Sequence, residues 1–291
     1  MTRKTKNAQS VFFGLVCLLV YIADVAAQEV SARSVHWAYS SYFGSGWYRV
    51  SGDRDVFVLR MTPRWDLSDA DLAEDGTRTT GVELSFPITV GLNRIDFDDI
   101  PGTTDPDNLA SLSVTPGIAV TIPLSERWAL RPFASVGWGT LLNESESAWT
   151  YWGGIKSRYT FQNGNLNWAL INSVTYVGYS PSVGPSEHFW PLVAALEFEY
   201  PIGNKQRDDD SLFVSWHGMY TSFENDLDLV SQEGSTLPIT DEWEFGLSFH
   251  KQEKPIKIWW FNFDSLGLAY RFSSSGDLKG ISFVFRSILE R

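Results

Sequence analysis

The feature that most constrains this chain is a two-residue alternation of apolar and polar positions, held over runs too long for an ordinary soluble sheet. From Val82 the even positions read Val82, Leu84, Phe86, Ile88, Val90 and Leu92, with Glu83, Ser85, Pro87, Thr89 and Gly91 between them. Leu112, Val114, Pro116, Ile118, Val120, Ile122 and Leu124 then alternate with Ser111, Ser113, Thr115, Gly117, Ala119 and Thr121. Trp128, Leu130, Pro132, Ala134, Val136 and Trp138 form a third set opposite Arg131, Phe133, Ser135 and Gly137. The same period recurs over residues 151–161, 166–179, 190–202, 212–223, 243–249, 266–272 and 281–285. Successive side chains of a strand point to opposite faces, so this pattern marks strands with one apolar face. Runs of this length exceed the ~5–6 residues usual in soluble sheets and fit the ~9–11 that cross a bilayer at a tilt. A less regular strand at 37–50 and a clear one at 56–65 bring the count to about twelve. The expected fold is all-β: a transmembrane, antiparallel, up-and-down β-barrel of about 12 strands.

Composition agrees. Mean hydropathy is −0.14 although aromatic residues make up 15% of the chain, with 13 Trp, 11 Tyr and 19 Phe. A barrel produces this combination, because lipid-facing and lumen-facing residues alternate and average out. The formal net charge of −12 argues against nucleic acid as a partner, since backbone contacts need Lys and Arg. The start of the chain carries an export signal. Arg3, Lys4 and Lys6 precede an apolar run over 11–23, and Val25-Ala26-Ala27 supplies small residues where a signal peptidase reads. A membrane-spanning helix needs ~20 apolar residues, and this run is interrupted at Asp24. The expected organisation is a signal peptide at 1–27, a short periplasmic segment at 28–35 and the barrel at 36–291. Cys17, the one cysteine, leaves with the leader, so packing and backbone hydrogen bonds must hold the mature chain together.

The connections set the orientation. If both termini are periplasmic, the outer connections are 93–108, 143–148, 180–188, 224–238 and 273–277. The inner ones are 125–126, 162–165, 203–210 and 251–255. Long and acidic falls outside, short falls inside. The exception is 66–79 on the inner side, where 68–75 is expected to form a helical turn. Trp47, Trp65, Trp128, Trp149, Trp190, Trp243, Trp259 and Trp260 lie near strand ends, as expected of girdles at the two membrane interfaces.

By parity the lumen receives Arg60, Arg64, Glu83, Arg131, Lys156, Arg158, Glu197, Glu199, His217, Glu242, Glu244, Arg271 and Arg286. Of these, Arg131, Lys156, Arg158, Glu197, Glu199, Glu242, Glu244 and Arg271 are the expected charge lattice. Paired, they would plug the barrel; hydrated, they would line a pore. Parity leaves both open. Ser215 and His217 face inward, the wrong side for a phospholipid, and Glu187-His188 is assigned to an outer loop, where a solvated histidine is the simpler reading. The four histidines are scattered too widely for a metal site. Neither enzymatic activity nor a cofactor is expected. A small-solute, porin-like channel is the alternative to a structural or weakly conducting barrel, and an outer-membrane hydrolase ranks third. Expected partners are the lipids of a Gram-negative outer membrane and the barrel-assembly machinery.

Near the C-terminus Gly280-Ile281-Ser282-Phe283-Val284-Phe285 places a glycine three and five residues before two aromatics. Gly280, Phe283 and Phe285 resemble the signal by which outer-membrane barrels are selected for assembly. With residues 256–272 ahead of them, they make the chain similar to the solitary outer-membrane autotransporter-like β-barrel domains. The resemblance implies a twelve-stranded translocator-type barrel with no catalytic residues. The short segment before the first strand implies one without a passenger.

Overall fold

The structure, a computed structural model, describes residues 42–50, 54–72, 78–93, 110–142, 146–182, 186–202, 212–230, 236–251, 256–258 and 261–286. The expected leader at 1–27, the segment 28–35 and Trp259-Trp260 lie outside the described residues. Twelve antiparallel strands close into one barrel. β1 is Gly46–Val50; β2 is Arg54–Met61 continued by Arg64–Ser68; β3 is Gly81–Ser85 continued by Ile88–Asn93; β4 is Ala110–Val114 continued by Gly117–Ser125. The other eight are unbroken: β5 (Trp128–Leu141), β6 (Ser147–Asn163), β7 (Leu166–Pro181), β8 (Glu187–Ile202), β9 (Leu212–Val230), β10 (Thr236–Lys251), β11 (Ser265–Phe272) and β12 (Leu278–Val284). Each pairs with the next, and β12 returns to β1, with Gly46 opposite Ser282 and Val50 opposite Leu278. Closure satisfies the backbone without an open sheet edge, which a hydrocarbon environment demands.

The faces follow the alternation. Leu196 is 40% exposed and Leu268 54%, while their neighbours Glu197 and Ala269 are both 3%. The exposed face is apolar and the enclosed face carries the charges, the reverse of a water-soluble sheet. Trp65, Trp128, Tyr159 and Tyr200 stand outward near the rim at which β12 ends, here the C-terminal rim. Trp47, Trp138, Trp149 and Trp190 stand outward toward the opposite rim. Rings that meet both hydrocarbon and water sit at such levels.

The breaks in β2, β3 and β4 line up. The N–H of Phe86 donates to the carbonyl of Pro63 (2.9 Å), that of Thr115 to Pro87 (3.0 Å) and that of Val136 to Pro116 (3.1 Å). Each proline keeps its carbonyl in the ladder but has no N–H for the return bond. Ser135 Oγ partly compensates by donating to the carbonyls of Thr115 (2.8 Å) and Pro116 (2.9 Å).

Three expectations are corrected. Of the strand read over 37–50, residues 37–41 lie outside the described residues, 42–45 are not strand, and the strand begins at Gly46. There a β-carbon would meet the Ile281 carbonyl at 2.4 Å, so glycine permits the close approach to β12. Just before it Ser45 Oγ accepts from the Arg60 N–H (2.8 Å) and donates to its carbonyl (3.0 Å), taking the place of a partner strand. Within 66–79, Asp71–Leu72 pairs antiparallel with Arg78–Thr79, so the described part of the expected helical turn, 68–72, is not helical; 73–77 lie outside the described residues. The loop read over 224–238 is largely strand, since β9 runs to Val230 and β10 starts at Thr236. A register shift between Ser222 and Leu227 absorbs the polar run Glu224-Asn225-Asp226, with Asn225 at φ 59°. Beyond it the ladder resumes with Leu227 opposite Ile239, both fully buried.

Candidate functional site

The enclosed face of the barrel is stratified. Toward the C-terminal rim and the middle it holds a charge network; toward the opposite rim it holds an apolar, aromatic layer. Strand parity builds the first, because β2, β3, β5, β6, β8, β10 and β11 each turn an ionisable side chain inward. Arg158 on β6 reaches across β7 to Glu197 (3.7 Å) and Glu199 (3.9 Å) on β8, and His250 Nε2 lies 3.8 Å from Glu199. Arg271 on β11 meets Glu242 at 3.3 Å and hydrogen-bonds Glu244 through Nε, and His217 Nε2 is 2.7 Å from Glu244. Arg131 on β5 pairs with Glu83 at 3.0 Å and donates to Thr121 Oγ1 at 2.8 Å. Arg64 bridges Glu83 (3.3 Å) and Asp264, and Arg286 is 3.7 Å from Asp264. Glu244 is fully buried, and a charge so placed is costly unless paired and hydrogen-bonded.

All eight residues of the expected lattice face inward, and seven of them enter carboxylate–cation pairs. The Lys156 ammonium lies 5.2 Å from the ring of Phe133. The Arg131 partner is Glu83, inward by parity but outside the expected lattice. Asp264 and His250, at the C-terminal rim, were not expected in it at all.

The second layer was not legible. Residues 42–45 leave the wall and enter the lumen. The ring of Tyr42 meets Phe189 at 5.4 Å and Phe223 at 6.5 Å, Phe43 meets Tyr48 at 5.2 Å, and Phe189 meets Phe223 at 5.8 Å. Val58, Val177, Tyr179, Leu227, Ile239 and Leu278 are buried in the same cluster. The Tyr48 hydroxyl donates to the Gly44 carbonyl at 2.8 Å, tying the inserted turn to β1.

The residues of the expected assembly signal also have packing roles. A β-carbon on Gly280 would stand 2.6 Å from the Tyr48 ring and 2.8 Å from the Trp47 carbonyl, so Tyr48 lies where only glycine leaves room. Phe283 meets Trp47 at 5.4 Å, and Phe285 meets Phe263 at 5.1 Å. Glu187 and His188 open β8 rather than lying in a loop, because their backbone pairs with Tyr179 and Gly178.

Twelve antiparallel strands with an apolar exterior and an ion-paired interior define a membrane-spanning β-barrel. No protein-family model matches the chain, and no curated protein matches it. Among solved structures it is similar to the translocator domain of the autotransporter NalP from Neisseria meningitidis, at 10% identity and a TM-score of 0.49, over 82% of each chain. It is also similar to the transport unit of the autotransporter AIDA-I from Escherichia coli, at 10% identity and a TM-score of 0.44, over 88% of this chain and 100% of that one. A third is LpxR from Salmonella typhimurium, at 14% identity and a TM-score of 0.44, over 81% of this chain and 91% of that one. At these identities the likeness is one of fold alone, a closed antiparallel β-barrel, and the twelve strands are those the alternation led one to expect. The expectation that the chain is not an enzyme is corrected: LpxR is an outer-membrane enzyme, so a barrel of this kind does not exclude catalysis.

Proposed function

We propose that this chain is a translocator-type outer-membrane barrel whose lumen is closed at rest, so that its role is structural. One observation carries the reading: a buried ion network and an aromatic layer lie in series along the lumen, the second completed by Tyr42 and Phe43 from the chain itself. Twelve strands are intermediate between barrels filled by side chains at ~8 and open channels at ~16, so what fills the interior decides whether it conducts. On this reading the C-terminal rim faces the periplasm, residues 1–27 are removed on export, and Gly280, Phe283 and Phe285 are read by the assembly machinery. The short turn at Ser125-Glu126 and the tight turn through Gly164 (φ 61°), both at the C-terminal rim, support that orientation.

Planar-bilayer recording of refolded protein tests it. Glu197→Ala with Glu199→Ala strands Arg158 in the lumen, and in a closed interior this should lower thermal stability and create a current that the unmutated protein lacks. In an open, hydrated pore the pairs would be screened. The unmutated barrel would then conduct already, the double substitution would change only its ion preference, and the small-solute channel would be the better reading.

A further inference from the structure

Arg64, Arg131, Arg158, Arg271 and Arg286 all have a carboxylate within 4 Å. Arg60 is the exception: among the described residues no carboxylate lies within 4 Å of it, and its Nε is buried without a hydrogen-bond partner. Its guanidinium carbon lies 5.7 Å from the ring centre of Trp152. Arg60 is on β2 and Trp152 on β6, so the guanidinium projects into the lumen on the side walled by the strands between them. The inner faces of those strands present hydroxyls. Thr89 is directly opposite Arg60 in the β2–β3 register, Ser113 directly opposite Thr89 in the β3–β4 register, and Thr115 is two residues further along β4. Thr150 stands opposite Gly137, the β5 residue whose absent β-carbon lets Thr115 pack closely. All four hydroxyls are buried, at 5% exposure or less, and none has a hydrogen-bond partner among the described residues.

An unpaired interior cation and four unsatisfied interior hydroxyls, side by side, are each costly alone. A small oxyanion resolves both. It offers Arg60 a charge-assisted bond, and its remaining oxygens accept from O–H donors. We propose that the inner wall from Arg60 to Thr150 is a binding site for a phosphate group. Arg60 supplies the charge, Thr89, Ser113 and Thr115 supply donors, and Trp152 holds the guanidinium over them. The phosphate can be free or the headgroup of a phosphomonoester lipid, and the chemistry of recognition is the same for both.

The test uses the whole barrel refolded into phosphate-free detergent. Thermal unfolding is followed against sodium phosphate, against a monoacyl phosphatidic acid, and against sodium chloride of equal ionic strength. A ligand of the folded state raises the midpoint by mass action. We expect a saturable rise with at least one phosphate carrier that chloride does not reproduce. Arg60→Gln should abolish it, and Thr89→Val or Thr115→Val should weaken the apparent affinity at least tenfold. A response to inorganic phosphate assigns the free anion; a response to the lipid alone assigns the headgroup. Should Arg60→Gln lose the heat-modifiable gel mobility of a folded barrel, Thr115→Val, which keeps the volume and removes only the hydroxyl, decides the matter. No saturable rise with either carrier, or a rise that Thr115→Val leaves unchanged, overturns the site.

Discussion

The two sides of this barrel are built differently. β5 to β10 are 14–19 residues long and unbroken, and their ladders run essentially from rim to rim. β1 has five residues, and β2, β3 and β4 are each interrupted beside a proline, at one level across three neighbouring walls. The difference lies in backbone chemistry rather than hydrophobicity, since both sides turn apolar residues to the exterior. Where the ladder is continuous, the wall supplies its own cohesion. Where it is interrupted, side chains take over: Ser45 caps Arg60, Ser135 serves two carbonyls, and Arg64, Asp264 and Arg286 link β2 to the region of β11 and β12. A closed barrel therefore tolerates weak walls provided the interior ties them to strong ones.

The largest expected effect lies on the strong side. Glu244→Ala leaves Arg271 with one fewer carboxylate and removes the His217 contact with Glu244, in a fully buried place. Breaking a buried pair typically costs ~3–5 kcal/mol, which a urea refolding titration would read. The matched change at the weak seam, Arg49→Ala, removes a solvent-exposed pair with Asp55 and should cost no more than ~1 kcal/mol. Similar losses for both would end the distinction between a structural interior and a decorative rim. The next effect is on the exterior. Leu196→Arg and Leu268→Arg place a charge in hydrocarbon and should cost ~2–4 kcal/mol near mid-membrane. Ser85→Arg and Thr121→Arg, on the half-buried inner face of β3 and β4, should be milder. Ala269 is no such control, because its β-carbon already lies 2.9 Å from the place a β-carbon on Gly246 would take. Equal damage at Leu196 and Thr121 would mean that the faces are assigned the wrong way round.

The smallest effect separates the two walls most finely. Amide exchange should be faster beside Pro63, Pro87 and Pro116 than anywhere along β6 to β8, because local opening follows the density of backbone pairing. Pro87→Thr should slow exchange at its neighbours. Its effect on global stability should be near zero, because the regained hydrogen bond, worth ~0.5–1.5 kcal/mol, is offset by the unfolded-state freedom that proline had removed. Uniform protection around the barrel would show that the aligned breaks carry no mechanical meaning.

Much of this was legible in the sequence, and the parts that were not share a cause. Period-two alternation reports which face a residue occupies, so the strand count, the outward leucines and the inward charges could be read directly. It says nothing about whether a backbone is paired. Pro116 and Pro87 fit the alternation and therefore looked like ordinary strand positions, and Glu224-Asn225-Asp226 looked like a loop because a bulge breaks the period while leaving the ladder on both sides. Parity gave Arg131 and Glu83 the same interior without giving their partnership, which depends on register across two strands. The inserted turn at Tyr42-Phe43 was invisible for another reason: a short apolar stretch ahead of a strand reads as more of that strand, and only the glycines at 44 and 46 hint at a departure.

Closure of the lumen depends most on that inserted turn. Planar-bilayer conductance of the refolded barrel, compared with Tyr42→Ala/Phe43→Ala, tests it directly. If the aromatic layer is the seal, the unmutated protein is silent at low and high salt. The double substitution then opens a steady current larger than that of Glu197→Ala/Glu199→Ala, with gel mobility still that of a folded barrel. An unmutated protein that conducts, or a folded Tyr42→Ala/Phe43→Ala barrel as silent as the parent, would contradict the claim that the chain closes its own lumen.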